Sequence, residues 1–235
     1  MIKRELKINS KSFIIWTSLL IGLYLLVYLI YPSIINTGEI DKIDEMMKLF
    51  PEEILKAFNM DISSLKSAYG WLKSEGFVFA LLIIGCYSGI LGSNILLKEE
   101  NDKTIEYLNS LPITRTNIVL SKVLTGIIYI TLITILLGIF NFIGLSINED
   151  IDTKQLLLLS ITPLFSSYVI FFLCIYLSTY TNKTKKMLGL SLGIVLISYI
   201  LNILSTISEL NILSIDVSDA LSNNVILPDV STPKN

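Results

Sequence analysis

The segment from Lys98 to Lys122 reads KEENDKTIEYLNSLPITRTNIVLSK, and most of its 25 residues are polar or charged. A long apolar run lies on each side of it. A helix needs about 20 apolar residues to cross the hydrocarbon core of a bilayer, and both neighbouring runs reach that length. The segment is therefore predicted to connect two membrane spans at one surface of the membrane.

The whole chain follows the same pattern, with 52% apolar and only 16% charged residues. Backbone polar groups in lipid must find partners within their own segment, so apolar runs of this length are predicted to be α-helices. The fold class is thus predicted to be an all-α, polytopic membrane helix bundle. Its five spans contain no Asp, Glu, Lys or Arg, and they are Phe13–Tyr31, Phe77–Leu97, Val123–Leu145, Leu156–Tyr180 and Met187–Ile207.

The loop charges predict the orientation of these spans. Residues 1–12, 98–122 and 181–186 hold 11 of the 18 lysine and arginine residues but only 5 of the 20 acidic residues. Basic loops stay on the cytoplasmic side of a membrane, so the N-terminus and the 98–122 segment are predicted to be cytoplasmic. Residues 32–76 and the tail 208–235 are then external.

The external segment Pro32–Gly76 is long for a connection between two spans. Its apolar residues recur at spacings of three and four among glutamates and lysines, which predicts one or two amphipathic helices on the outer membrane face. A small cap packed on the ends of the bundle fits the pattern equally well. The residues concerned are Met46, Met47, Phe50, Ile54, Leu55 and Phe58.

Several function classes are disfavoured by what the sequence lacks. The chain has no histidine, which excludes a Ser-His-Asp triad and histidine-ligated zinc. It has no GxxxxGK[ST] phosphate loop, and its predicted spans lack the charged groups that ion-coupled carriers use. No cofactor is expected in this chain, and the net charge of −2 suggests no nucleic-acid partner. Energy for any uphill transport is expected from another subunit.

The 98–122 segment is predicted to form a compact helical hairpin. Pro112 should end a helix that continues from the second span, and the Thr114 hydroxyl should cap a new helix by accepting from the backbone of Thr116 or Asn117. Lys122 is expected to extend its ammonium group to the inner headgroups. Such a hairpin either transmits the motion of a partner or is a solvated surface whose basic residues face anionic lipid.

Small residues recur at a spacing of four in two spans, where they let helices approach closely. This pattern predicts either packing within one subunit or a seam between two subunits. The residues are Gly85, Gly89, Ser93, Gly189 and Gly193. The polar span residues Asn94, Thr131, Thr134, Asn141 and Asn202 are expected to hydrogen bond between helices rather than to contact a substrate.

The 98–122 segment resembles a motif of the type-2 permeases of ATP-binding cassette (ABC) transporters. That family has EE…GTLELLLSLPVSR…K between its second and third spans. The basic residues from Lys3 to Leu6 resemble the membrane-surface helix at the start of these permeases, and LFPEEILKAFNMD resembles their external loop. The matching positions in the motif are Glu99, Glu100, Thr104, Glu106, Leu108, Ser110, Leu111, Pro112, Arg115 and Lys122.

The resemblance implies that residues 1–207 are the permease domain of an ABC transporter, more commonly an exporter, in a bacterial plasma membrane. A second permease subunit, identical or related, would complete the path, and separate cytoplasmic ATPase subunits would bind ATP and Mg²⁺. The remaining partner is membrane lipid. The resemblance assigns docking of the ATPase to Glu99, Glu100, Thr104, Glu106, Leu108, Leu111, Pro112 and Arg115.

The chain departs from the family pattern in two respects. Lys103 replaces a glycine, and Tyr107 and Asn109 replace aliphatic residues. The family usually has six spans, so residues 208–235 are expected to be either the external tail of a five-span variant or the remainder of a truncated domain. The alternative function is that of a non-transporting immunity or sensor protein with the same fold.

Overall fold

The computed structural model describes residues 1–36, 45, 49–50, 55, 67–101, 114–146, 153–181 and 183–208. Within these ranges, five helices are long and apolar enough to cross a membrane, and no strand is found. The predicted all-α polytopic membrane bundle is confirmed. The elements are α1 (Ile2–Asn36), α2 (Ala68–Trp71), a π-helical turn (Leu72–Gly76), α3 (Phe77–Asn101), α4 (Arg115–Ser146), α5 (Thr153–Ser178) and α6 (Thr184–Ser208).

The helices extend beyond the predicted spans at their polar ends. Because no proline lies between Ile2 and Tyr31, the basic segment Lys3–Leu6 continues directly into the span as the first turns of α1. It is therefore not a separate surface helix. At the other end, α1 continues through Pro32 to Asn36.

Helix α3 lies at the centre of the bundle. In its apolar stretch 56% of the residues are buried, whereas 17% are buried in the corresponding stretches of α1 and of α6. It packs against α5, α6, α4 and α1, and α4 also contacts α1 and α5. The core around it consists mainly of branched aliphatic and aromatic side chains, among them Ile84, Tyr87, Ile130, Ile133, Leu137 and Phe171.

Polar groups inside the bundle are mostly satisfied by neighbouring backbone or side chains, as a low-dielectric surrounding requires. The Tyr24 hydroxyl of α1 donates to the carbonyl oxygen of Gly76 in the π-helical turn. Two of the predicted interhelical bonds are found: Thr131 lies 2.6 Å from the Tyr168 hydroxyl, and the Tyr28 hydroxyl lies 3.3 Å from Asn141 Oδ1. Thr134 instead bonds to the Ile130 carbonyl of its own helix.

Two predictions fall largely outside the described residues. They are the amphipathic helices within 32–76, of which the structure describes mainly the two ends, and the tail 208–235. Of the two cysteines, Cys174 is fully buried and packs with Leu97 and Met187, and Cys86 is partly buried.

Candidate functional site

The three basic segments of the sequence meet at one end of the bundle, which we call the basic end. There the Lys122 ammonium of α4 lies close to Glu5 of α1 and Ile95 of α3. A cavity at the same end is lined by Asn9, Lys98 and Lys183, from α1, α3 and the residues before α6. The structure thus groups the described parts of the three basic segments, 1–12, 98–101 with 114–122, and 181 with 183–186, as the loop charges predicted. The basic end is assigned to the cytoplasmic side because basic loops stay on that side of a membrane.

The structure describes the two flanks of the 98–122 segment. Glu99 and Glu100 lie in the last turn of α3, and Arg115 is the first residue of α4. The other predicted docking residues, Thr104, Glu106, Leu108, Leu111 and Pro112, lie outside the described residues. Their role stays a prediction.

The start of α4 is capped as the sequence predicted. The backbone N–H of Asn117 donates to Thr114 Oγ1 over 3.4 Å, and the N–H of Ile118 donates to the Thr114 carbonyl over 3.2 Å. Thr114, Arg115, Thr116 and Asn117 are all exposed. The first turn of α4 therefore presents a fixed backbone and an open polar surface next to the predicted docking residues.

The expectation for Lys122 is wrong. Its side chain is only 4% exposed, and its ammonium group donates to the carbonyl oxygen of Ile95 over 2.6 Å. The Glu5 carboxylate lies 3.9 Å away and is equally buried. The lysine points into the bundle because these two oxygen groups replace the water and headgroups that it would otherwise seek.

The geometry separates the roles of the two partners of Lys122. The carbonyl of Ile95 makes the short hydrogen bond, whereas 3.9 Å is the outer limit of an ion pair, so Glu5 mainly balances the charge. The second carboxylate oxygen of Glu5, Oε1, is buried and has no hydrogen-bond partner among the described residues. Removal of Lys122 would leave this carboxylate buried and uncompensated.

A second set of contacts joins α1 and α4 two turns further along α4. The Tyr129 hydroxyl donates to the carbonyl oxygen of Leu6, and the ring of Tyr129 lies 4.8 Å from that of Phe13. Together with Glu5 and Lys122, these contacts connect α1, α3 and α4 at the basic end.

Sequence reasoning missed this network, although one signal for it was present. Glu5 is the only acidic residue among the first twelve, and Lys122 directly precedes an apolar run. Ionisable groups at such depths are usually paired. The sequence does not indicate that Glu5 pairs with Lys122, since 117 positions separate these residues.

The predicted small residues lie in different surroundings. A methyl group placed on Gly85 or Gly89 would lie 3.3–3.6 Å from side chains of α5 and α6, and Ser93 is fully buried. Gly189 and Gly193 have no atom within 4 Å of such a methyl group. A seam at these two glycines stays a prediction.

Sequence reasoning missed two glycines at the closest helix contacts. A methyl group on Gly92 of α3 would lie 2.7 Å from the carbonyl oxygen of Phe171 in α5. One on Gly126 of α4 would overlap the ring of Phe171. Phe171 is completely buried between these two helices, so both positions require glycine for α5 to approach.

We expect Gly92→Ala to destabilise the bundle by about 1–3 kcal/mol, because the backbone carbonyl that it meets has little freedom to move. Unfolding of the purified chain in mixed detergent micelles measures this change. Gly22→Ala is the matched control, since nothing lies within 4 Å of a methyl group there. An equal response of both variants would contradict the packing at Phe171.

The described residues offer no group of three or more histidine, cysteine, aspartate or glutamate residues that could hold a metal ion. The described groups at the basic end are a buried lysine with its carboxylate, exposed polar groups at the start of α4, and the lysines that line the cavity.

Comparison with known protein families matches residues 3–216 to a family described as "ABC-2 family transporter protein". No curated protein and no solved structure matches the chain. The family match covers most of the 235 residues, including the 98–122 segment and, apart from Ile2, all five described spans. The chain therefore belongs to the ABC-2 family of transporter proteins, as a multi-pass membrane component of the permease type.

Proposed function

We propose that the chain is the permease subunit of an ABC exporter, driven by separate cytoplasmic ATPase subunits that dock on residues 99–115. Membership in the family supports a transport role. The observation that carries the coupling mechanism is the hydrogen bond from Lys122 of α4 to Ile95 of α3, which joins the helices at both ends of the docking segment.

This hydrogen bond explains how a displacement of the docking segment would reach the spans. A partner that displaces the docking segment moves the end of α3 and the start of α4 together, because the Lys122 ammonium of α4 donates a hydrogen bond to the Ile95 carbonyl of α3 over 2.6 Å. Glu5 and the Leu6 carbonyl then transmit the displacement to α1. Since α3 packs against every other span, a tilt of this helix repacks the whole bundle.

Arg115 supports docking by its position. It is the first residue of α4, where the positive end of the helix dipole disfavours a cation. Its side chain is exposed, and no hydrogen bond or ion pair with the described residues offsets this cost. Docking of an ATPase would account for a guanidinium group at this position, since such a group forms bidentate hydrogen bonds with carboxylates.

The proposal includes further partners. The ATPase subunits bind ATP and Mg²⁺, and a second permease subunit, identical or related, completes the path through the plasma membrane of a bacterium. The exposed apolar faces of α1 and α6, for example Ile15 (65% exposed) and Ile197 (58%), are available for lipid or for this second subunit. Gly189 and Gly193 are the proposed close-contact positions on α6.

Co-purification tests this function. We expect the full chain, extracted from its own membranes in mild detergent, to retain a subunit that contains a phosphate loop and hydrolyses ATP. After reconstitution of that complex in liposomes, ATP should drive flux out of the compartment equivalent to the cytoplasm. An associated ATPase without flux would favour the sensor or immunity alternative, and the absence of any ATPase would contradict the proposal.

A further inference from the structure

A cavity of about 670 Å³ opens at the basic end between α1, α3 and α6. Four lysines line it: Lys98 at the end of α3, Lys183 just before α6, and Lys185 and Lys186 in the first turn of α6. Their side chains are exposed, and within the described part of the chain none has a carboxylate partner. The described part of the cavity wall therefore carries four positive charges.

The start of α6 adds to this charge. The 25-residue helix begins at Thr184, so the positive end of its dipole lies at the cavity beside Lys185 and Lys186. The described residues that line the cavity include no aspartate and no glutamate. Its electrostatics suit a phosphate group.

The lining changes in character along α3. Ile90, Asn94 and Lys98 are four residues apart and lie on one face, about 6 Å from each other along the axis. This face therefore presents a hydrocarbon, then an amide, then an ammonium group. The Asn94 side chain is partly buried and makes no hydrogen bond with the described residues, so within this part of the chain its amide is available to a ligand.

The depth of the lysines decides between a lipid and a soluble anion. Lys98 ends the apolar window of α3, and Thr184 begins that of α6, so the ammonium groups lie where a bilayer has its headgroups. The order from Ile90 to Lys98 matches the order of acyl chain, glycerol ester and phosphate in a phospholipid. A soluble anion would make no favourable contact with the apolar part of the cavity, to which Ile8 and Leu91 also contribute.

We propose that this cavity binds one anionic phospholipid of the inner leaflet, with its phosphate among the four lysines and its ester groups near Asn94. The lipid would occupy the space between α1 and α6 on the surface of α3. This inference rests on the cavity and its charges, and it is independent of the proposed ATPase.

Native mass spectrometry of the full chain in mild detergent tests the proposal. Phosphatidylglycerol and phosphatidylcholine with identical acyl chains are the two probes. We expect the wild-type chain to bind phosphatidylglycerol at least about tenfold more tightly, because its headgroup carries a net negative charge that the lysines attract and phosphatidylcholine is neutral overall. The combined substitutions Lys98→Gln, Lys185→Gln and Lys186→Gln should abolish this preference.

The matched control removes the same charge from the same end of the bundle, at Lys3→Gln, Lys7→Gln and Lys11→Gln, which do not line the cavity. It should keep the preference for phosphatidylglycerol. Equal loss in both triple variants would overturn the site in favour of diffuse surface charge, and equal binding of both lipids by the wild-type chain would overturn it outright. Displacement of the lipid by inorganic phosphate alone would reassign the cavity to a soluble anion. Circular dichroism establishes that each variant is folded.

Discussion

The substitution Lys122→Met is expected to destabilise the bundle by about 3–5 kcal/mol, because it leaves the Glu5 carboxylate buried without a balancing charge. Methionine retains most of the volume of the lysine stem, so the loss reports the charge and its hydrogen bond to Ile95 rather than a cavity. Unfolding of the purified chain by SDS in mixed micelles measures the change. Lys11→Met is the control, since this exposed lysine should change stability by no more than about 0.5 kcal/mol.

A double substitution tests whether the loss of stability comes from the broken Glu5–Lys122 ion pair or from the methionine at position 122. Replacing a buried ion pair by apolar residues of similar volume is often neutral, so Glu5→Met combined with Lys122→Met should be more stable than Lys122→Met alone. If Lys122→Met is as stable as Lys11→Met, the buried network does not hold the basic end together. If the double variant is less stable than either single variant, Glu5 does not act through Lys122.

The substitution Arg115→Glu is expected to reduce association with the ATPase by at least about tenfold without unfolding the chain. A reversed charge at a docking surface opposes the carboxylates that the arginine would meet. The same change places an anion at the start of α4, which the helix dipole favours, so the fold should be unchanged or slightly more stable. Co-purification measures the association, and thermal unfolding in detergent measures the fold.

Lys11→Glu is the matched control for this charge reversal, since Lys11 is exposed at the same end on α1. It should leave association with the ATPase unchanged. Equal loss in both variants would show that the overall charge of the basic end is responsible. A loss of folded protein in Arg115→Glu would instead assign a structural role to Arg115.

The spans and their grouping were predictable from the sequence because both depend on strong, local signals. Apolar length predicted the helices, and the distribution of lysine and arginine predicted which loops share one end. The Thr114 cap was equally local, since it requires only a hydroxyl residue followed three positions later by a backbone N–H. The family resemblance, which depends on the 98–122 motif, is confirmed by the match over residues 3–216.

The contacts between helices were not predictable in the same way. Lys122 looked like a surface lysine because its position at a span end is local, whereas its partners Glu5 and Ile95 are set by packing. Gly92 and Gly126 are essential to the approach of Phe171, but their spacing in the sequence does not distinguish them from other glycines. A four-residue spacing did find Gly85 and Gly89, whose neighbours lie on α5 and α6.

Site-specific photo-crosslinking tests the central claim most directly. A photoreactive amino acid at Thr116, exposed in the first turn of α4, should crosslink in native membranes to a subunit with a phosphate loop. The same amino acid at Phe142, which is 52% exposed near the other end of α4, should crosslink to no such subunit. Absence of an ATPase from the crosslinks at Thr116, or equal crosslinking from Phe142, would contradict docking of an ATPase at the basic end.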